Sequence, residues 1–423
     1  MRRSALSILV GLLFSGLPFG VQSAHAAAGS LDTTFGTGGV TITTLTTTAS
    51  DANGVFPAAV QLQSDGKILV LANVTNLPSI TTDVLRYTTA GLLDATFGNK
   101  GIAVLPTVLG SPAMAVQSNG QIVVVGAAAG SNVLAAERLN TNGTVDTTFG
   151  TDGLASTSLN CCGTEMAVVI EPSSGDIVAC TQLEPTGRRQ PFHTALARFL
   201  STGAVDTTFG SGGTVNVAGV GGCAAVAVLS TGEVLVENGP SAQFTSAGVQ
   251  ESTVTGGSIV AAGATHSPPS IFLSNGDYLV AQEVFTGEES RGHNAAAQVL
   301  RFTLTGASDT TFDNQTFHFV GTGGSGIEAQ PNAIALQSNG DIVVVGQQTT
   351  ASQGGTVLVN GLARLTANGA PDTTFGSGGT VTNTVPANTQ GLDAVAIDSQ
   401  GRIITVGIAN SFTELTVSRY LGQ

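Results

Sequence analysis

The stretch APDTTFGSGGTV, residues 370–381, decides the fold, because the chain repeats it. A near copy, AVDTTFGSGGTV, occupies residues 204–215. Further versions start at Ser30, Leu92, Thr144 and Ala307. A phrase that recurs at this spacing is typical of a repeat fold, in which each copy builds the same structural element.

A second phrase recurs between the copies of the first. AMAVQSNGQIVVVG, residues 113–126, returns as AIALQSNGDIVVVG at 333–346 and as AVAIDSQGRIITVG at 394–407. Short runs rich in Val and Ile, joined by Asn-Gly or Asp-Gly, predict a β-hairpin with a type I′ turn. The chain contains seven of these units, 44 to 64 residues apart, with turn glycines Gly66, Gly120, Gly175, Gly232, Gly276, Gly340 and Gly401.

Each hairpin is followed by a third apolar run and then by DTTFG, which we assign to the outermost of four strands. Four strands per unit, repeated seven times at this period, are typical of β-propeller blades. The sequence therefore predicts an all-β fold, a seven-bladed β-propeller with four-stranded blades, as a single domain over residues 27–423. The chain ends on a third strand, at residues 416–423, and begins with an unpaired DTTFG. We expect the N-terminal strand to complete the last blade and close the ring.

An arginine stands eight residues before the aspartate of DTTFG in five of the units. Residues eight apart can face each other across a short turn, so we expect ion pairs between the third and fourth strands. Ring closure would add a sixth pair. The predicted structural ion pairs are Arg86–Asp94, Arg138–Asp146, Arg198–Asp206, Arg301–Asp309, Arg364–Asp372 and Arg419–Asp32. Charges repeated at one blade position indicate a structural network rather than catalysis.

The two phrases and their spacing closely resemble those of the delta-60 repeat proteins of bacteria, whose blades are similar to those of NHL-type propellers. The resemblance covers nearly all of residues 27–423. It implies a seven-bladed propeller and supplies no catalytic residues. The fourth unit departs from the pattern, since Gln243 and Glu251 stand at the Arg and Asp positions. We expect the outer edge of that blade to be the least firmly held.

Residues 1–26 have the features of a secretory signal peptide: Arg2 and Arg3, an apolar run from Ala5 to Phe19, and the small-residue site Ala24-His25-Ala26. An uncleaved anchor is the alternative, but the apolar run is short for a membrane span. We therefore expect an exported protein, whether periplasmic, cell-surface or extracellular. We expect no membrane span after signal cleavage, and a monomer.

The charge of the chain limits its partners. The formal net charge is −14, and without Arg2 and Arg3 it is −16, from 12 basic and 28 acidic residues. Nucleic acid and anionic membrane surfaces are therefore unfavourable partners, and neutral or cationic partners are favoured. Only 10% of the residues are charged, against about 25% in an ordinary soluble domain.

Function is expected where the units differ, because the variable loops of a ring of similar blades form its binding surface. We call the end of the blades that carries the loops after each hairpin and the connections between blades the variable face. Two long charged loops, residues 181–194 in the third blade and 282–294 in the fifth, flank the short loop 237–242 of the fourth. These loops predict a groove whose candidate ligand-binding residues are Arg188, Arg189, His193, Glu288, Glu289, Arg291 and His293. The alternative is that both loops carry ordinary surface charge.

All four cysteines are predicted to lie near the variable face of the third and fourth blades. An exported protein favours two disulfides. Adjacent cysteines rarely bond each other, so we expect Cys161 and Cys162 to pair with Cys180 and Cys223, in either order. A zinc site is the alternative, although no C-x-x-C spacing occurs.

The chain has no G-x-S-x-G, P-loop, C-x-x-C-H or H-E-x-x-H motif. We therefore predict no catalytic residue, no metal and no cofactor. The leading hypothesis is a non-catalytic exported module that binds a protein or a polysaccharide through the variable face of blades three to five. The alternative is an exported hydrolase or lyase with a metal or His/Glu site in the same groove, in which His193 and His293 act as ligand or base. A third hypothesis is a purely architectural module.

Overall fold

The computed structural model describes most of the chain. The described residues are 27–45, 54–131, 133–160, 166–183, 193–217, 221–229, 231–237, 241–253, 268–285, 294–320, 328–352, 355–383 and 390–423. They form β-strands and turns, without a helix among them. It follows that no helix in these ranges could span a membrane. The predicted all-β fold class is confirmed.

The first four sheets have four antiparallel strands each, paired in chain order. The first sheet contains β2 (Gly54–Leu62), β3 (Ile68–Asn76), β4 (Ser79–Tyr87) and β5 (Ile102–Val104). The second contains β6 (Leu109–Val116), β7 (Ile122–Ala128), β8 (Val133–Leu139) and β9 (Leu154–Asn160). The third contains β10 (Met166–Ile170), β11 (Ile177–Leu183), β12 (His193–Phe199) and β13 (Thr214–Val217). The fourth contains β14 (Ala225–Val228), β15 (Val234–Glu237), β16 (Ala242–Phe244) and β17 (Gln250–Thr253).

The fifth sheet has eight strands. Its first half contains β18 (Ser270–Phe272), β19 (Tyr278–Phe285), β20 (Ala295–Phe302) and β21 (Thr316–Phe317). Its second half contains β22 (Glu328–Leu336), β23 (Ile342–Ser352), β24 (Gly355–Leu365) and β25 (Thr380–Asn383). The halves meet at one parallel pair, Ala295 with Glu328, whereas every other pairing is antiparallel.

The sixth sheet joins the two ends of the described chain. It contains β26 (Gln390–Ile397), β27 (Ile403–Ala409) and β28 (Glu414–Tyr420), with β1 (Val40–Thr44) beside β28. Val40 lies opposite Ser418, and Thr44 lies opposite Glu414. The N-terminal strand therefore completes a sheet made from the last three strands.

Apolar clusters between neighbouring sheets form the core. Val70 and Leu85 of the first sheet pack with Val406 and Val417 of the sixth, and all four are fully buried. Similar clusters join the first sheet to the second, the second to the third and the third to the fourth. Each buried Val or Leu contributes about 1.5–3 kcal/mol relative to an exposed one. Small sheets packed face to face in this way are consistent with propeller blades.

The DTTFG phrase is a turn, so its assignment to the outermost strand was wrong. Asp146 Oδ1 accepts hydrogen bonds from the backbone N–H and the hydroxyl of Thr148, at 3.1 and 2.6 Å. Gly150 and Gly153 have φ angles of 55° and 97°, which end any extended conformation. The outer strand β9 begins only at Leu154. The aspartate side chain stabilises this turn because it bonds the backbone two residues ahead.

The predicted type I′ hairpin turn was also wrong. Gly120 has a φ of 84°, but Asn119 is not in the left-handed region. Gly120 N–H donates to Gln117 O at 2.8 Å, and Gln117 N–H donates to Gln121 O at 2.9 Å. This is a three-residue loop, a type I turn followed by a left-handed glycine. Asn119 Oδ1 accepts the N–H of Gln121 at 3.0 Å, which holds the side chain to the turn.

Candidate functional site

A repeated contact between Arg, Asp and Phe joins neighbouring sheets, and we call it the latch. Arg138 Nε donates to Asp146 Oδ2 at 2.8 Å, and its guanidinium lies 4.6 Å from the centre of the Phe149 ring. Arg138 Nη1 also donates to Ser201 O of the third sheet at 2.5 Å. One buried arginine therefore holds its own strand, the DTTFG turn and the next sheet.

The same Arg–Asp contact occurs in six places among the described residues. The pairs are Arg86–Asp94, Arg138–Asp146, Arg198–Asp206, Arg301–Asp309, Arg364–Asp372 and Arg419–Asp32. Hydrogen bonds from Thr96, with the charge of Arg86, lower the pKa of Asp94 to about 2, although burial acts in the opposite direction. This carboxylate stays ionised at neutral pH, which suits a structural ion pair and not a general acid.

The fourth sheet has no latch in its described residues. Gln243 lies in β16 and Glu251 in β17, at the positions that hold Arg and Asp elsewhere. The apolar cluster of this sheet extends to the third sheet, and no cluster of the described residues extends from it to the fifth. The junction between the fourth and fifth sheets is therefore built differently from the others.

The fourth sheet is also short among the described residues, and we call the position beyond its end on the variable face the recess. Strands β11, β15 and β19 each begin two residues after a turn glycine, but they have 7, 4 and 8 residues. At about 3.3 Å per residue, the end of β15 lies roughly 10–13 Å below its neighbours. This recess is at the place where the sequence predicts a groove between two long loops.

Polar side chains lie buried between the fourth and fifth sheets. Glu237 and Ser241 flank the β15–β16 turn, and Tyr278 and Gln282 come from β19. Each is at most 6% exposed. Tyr278 and Gln282 face the fourth sheet, because Leu279 and Ala281 between them pack into the second half of the fifth. We call these four residues the polar floor.

Gln282 Oε1 has no hydrogen-bond partner among the described residues, and the hydroxyls of Ser241 and Tyr278 have only each other. Gln282 Nε2 donates to Gln298 Oε1 at 3.2 Å, and Ser270 Oγ donates to Glu237 Oε2 at 3.4 Å. Burial raises the pKa of Tyr278; the nearby Ser241 hydroxyl lowers it, and the Glu237 carboxylate raises it again. The tyrosine hydroxyl therefore stays protonated and can donate a hydrogen bond.

Sequence reasoning missed the polar floor because its four residues belong to two units and follow no local motif. The only signal in the sequence was the shortness of the loop at 237–242. Of the residues predicted to line the groove, His193 begins β12 opposite Leu183 and is half-buried. The other candidates lie outside the described residues: Arg188, Arg189, Glu288, Glu289, Arg291 and His293.

The predicted cysteine pairing was wrong. Cys180 forms a disulfide with Cys223, with their Cα atoms 5.9 Å apart. Cys180 of β11 points toward the fourth sheet, and Cys223 lies two residues before β14, so the two side chains meet in the cluster between the sheets. The disulfide joins the third and fourth sheets, next to the junction between the fourth and fifth sheets, where the described residues form no latch. Cys161 and Cys162 lie outside the described residues.

Three segments of the chain, residues 63–97, 117–149 and 337–375, match a family described as "Domain of unknown function (DUF5122) beta-propeller". No curated protein matches the chain. Among solved structures the chain is similar to a polysaccharide lyase, at 9% identity and a TM-score of 0.45, over 87% of this chain and 90% of that one. It is also similar to an exo-β-1,3-galactanase from Clostridium thermocellum, at 14% identity and a TM-score of 0.35, over 70% and 69%. The family match agrees with the blade-like sheets.

Proposed function

We propose that residues 27–423 form one seven-bladed propeller domain, closed by β1 and monomeric. Dividing the fifth sheet at its single parallel pair gives seven units of four strands. Contacts between the first strands support a ring, because β26 lies against β2 as well as against β22. Gly36, the glycine of the first DTTFG copy, donates its N–H to Ala90 O, between β4 and β5 of the first sheet, at 2.8 Å.

We further propose that the protein is exported, to the periplasm, the cell surface or the medium. Residues 1–26 match the pattern of a signal peptide. The Cys180–Cys223 disulfide supports the same conclusion, since disulfides persist in oxidising compartments.

The function we propose is non-catalytic binding of a neutral polysaccharide in the recess above the fourth sheet. The polar floor carries this proposal, because Gln282 Oε1 has no partner among the described residues and the Ser241 and Tyr278 hydroxyls have only each other. Leaving a buried polar group without a partner costs about 1–3 kcal/mol, so such groups occur where something else supplies the hydrogen bond. Sugar hydroxyls both donate and accept, which matches a floor containing two hydroxyls and an amide oxygen. The net charge of −16 for residues 27–423 disfavours an anionic chain.

Binding is favoured over the alternative of a hydrolase or lyase. A catalytic tyrosine base needs a lowered pKa, whereas burial raises the pKa of Tyr278 and the carboxylate of Glu237 adds to the increase. The buried position of Glu237, bonded by Ser270, suits a residue that orients its neighbours.

Affinity electrophoresis in gels containing neutral polysaccharides tests this function with the variant Tyr278→Phe. We expect about tenfold weaker binding, because the variant removes one hydroxyl and little volume. Tyr420→Phe is the matched control: its hydroxyl is also buried, with only a serine hydroxyl, that of Ser418, beside it, but it lies in the sixth sheet. Equal effects of the two variants, or none from either, would contradict the proposed site.

A second set of variants tests whether the two long loops line the same groove. Arg188→Glu, Arg189→Glu and Glu288→Lys, combined in one chain, reverse the charges that the sequence places beside the recess. We expect this combined variant to weaken binding of the same polysaccharide. Unchanged affinity would show that the two loops do not contribute to the binding site. The role of the polar floor would then be tested by Tyr278→Phe alone.

A further inference from the structure

Two aromatic side chains are exposed on the variable face, where the sixth sheet meets the first. Phe56 of β2 is 49% exposed, and Phe412, in the turn between β27 and β28, is 38% exposed. Their ring centres are 6.0 Å apart and the planes are inclined by 33°. Both rings lie opposite the hairpin turns, since β2 runs toward Gly66 and β27 runs away from Gly401. We call the two rings the aromatic platform.

The backbone is arranged to present Phe412. Asn410, Ser411 and Phe412 have φ angles of 51°, 54° and 69°, three consecutive residues in the left-handed region without a glycine. Asparagine tolerates this region, but a bulky residue there is an outlier. Strained backbone of this kind is concentrated at functional sites. A turn serving only to connect β27 to β28 would not need an exposed phenylalanine in that conformation.

The first sheet accommodates the second ring. Val55 N–H donates to Phe412 O at 2.8 Å, which fixes the turn against β2. A Cβ on Gly54 would lie 3.0 Å from the Phe56 ring and 3.2 Å from Phe412 Cβ. The absence of a side chain at residue 54 therefore lets the Phe56 ring fold back along its strand and lie beside Phe412.

We propose that the aromatic platform binds the apolar face of a pyranose ring in a neutral polysaccharide. The face of an aromatic ring carries negative charge density, which attracts the weakly positive C–H groups on one side of a sugar. The surroundings are polar: Asn410 and Ser411 are exposed, and Glu414 lies within 3.4 Å of the Thr44 hydroxyl. A ligand with an apolar face and polar edges fits this arrangement better than a hydrocarbon chain does.

The area of the platform favours a sugar over a protein. At the exposures above, the two rings offer roughly 150–200 Å² of accessible surface. A stable protein interface needs about 800 Å² from each partner. Glu414 and the net charge of −16 disfavour uronic acids and sulfated sugars. The platform is a second site, separate from the recess, and its occupation does not require the polar floor.

The experiment is affinity electrophoresis of the purified chain in gels containing laminarin or hydroxyethylcellulose, with alginate as the anionic comparison. We expect a neutral polysaccharide to retard the protein. Phe56→Leu, which keeps apolar area but removes the aromatic ring, should weaken binding about fivefold or more. Phe412→Asn should do the same while tolerating the left-handed backbone, and the double variant should lose nearly all of the retardation that depends on the platform.

Leu77→Ala is the matched control, since Leu77 is 54% exposed in the β3–β4 turn at the same end of the first sheet. We expect it to bind normally, and thermal melting checks that every variant folds. Three results would overturn the inference: no binding of either neutral polysaccharide, normal binding by the double variant, or equal loss from Leu77→Ala, which would show that binding does not depend on the aromatic rings. If Tyr278→Phe weakens polysaccharide binding but the Phe56 and Phe412 variants do not, the proposed function is supported and only the aromatic platform is contradicted.

Discussion

Gly143 is required at its position by both conformation and space. Its φ is 83°, and a Cβ there would lie 2.7 Å from Gly98 N and 2.9 Å from the Phe97 ring. We expect Gly143→Ala to lower the free energy of unfolding by about 2–4 kcal/mol, from backbone strain and overpacking together. Gly130→Ala is the matched control, because Gly130 has a φ of 84° with nothing within 4 Å of the added carbon. Chemical denaturation measures both, and equal costs would show that packing against Phe97 contributes nothing.

Asp94 makes stability depend on pH in the acid range. Its folded pKa of about 2 is below the ordinary value of 3.8. Because the shift is downward, the stabilisation is complete above about pH 4 and is lost as the pH falls toward 2. We expect Asp94→Asn to be less stable than the unmodified chain at pH 7 and to lose less stability between pH 4 and pH 2. Parallel slopes in that interval, measured by denaturant titration, would exclude this role.

Among the elements, the connection that the disulfide makes between the third and fourth sheets is the most directly testable. Cys180 and Cys223 close a loop of 43 residues between the third and fourth sheets. Cross-links of this size typically contribute about 2–4 kcal/mol. We expect Cys223→Ser to lower the melting temperature, and peptide mapping without reductant to recover the segments around Cys180 and Cys223 as one linked species. Recovery of Cys180 bonded to Cys161 or Cys162 instead would contradict the bond.

A strand or turn could be predicted from the sequence when the residues that determine it lie close together along the chain. Val- and Ile-rich runs around Gly120 predict strands because the pattern and the turn glycine lie within a few residues of each other. The DTTFG phrase was assigned to a strand because a propeller blade needs a fourth strand in each unit, whereas the Asp146 side chain and two left-handed glycines make it a turn. The Cys180–Cys223 bond depends on which side of β11 faces its neighbour, which the strand pattern alone did not specify.

The sequence predicted the position of the candidate site only through the different lengths of the loops in the third, fourth and fifth units. The short fourth unit and the long loops beside it indicated a depression in the variable face. Its chemistry was not predictable, because Ser241 and Tyr278 come together only through the packing of two sheets. The aromatic platform was not predictable for the same reason, since Phe56 and Phe412 are more than 350 positions apart in the chain.

At the scale of the whole molecule, the proposed closure of the ring depends on β1. Removing residues 27–45 together with the predicted signal peptide would expose the edge of β28, which then offers unpaired backbone groups to other chains. We expect this truncated protein to aggregate or to melt well below a control that lacks only residues 1–26. Light scattering and thermal melting compare the two. Equal stability and a monomeric truncated protein would exclude closure by β1.

The Arg419–Asp32 pair also has a consequence for the order in which the protein is made. Arg419 Nε and Asp32 Oδ2 are 2.9 Å apart in the folded chain but are separated by 387 positions in the sequence. At about 5–20 residues per second, a ribosome needs roughly 20–80 s to cover that distance. During this time β1 is already synthesised and its partner β28 does not yet exist. Strand β1 is therefore the first to be synthesised and the last to pair in its sheet. Until β28 is made, the nascent chain must prevent β1 from pairing with other strands.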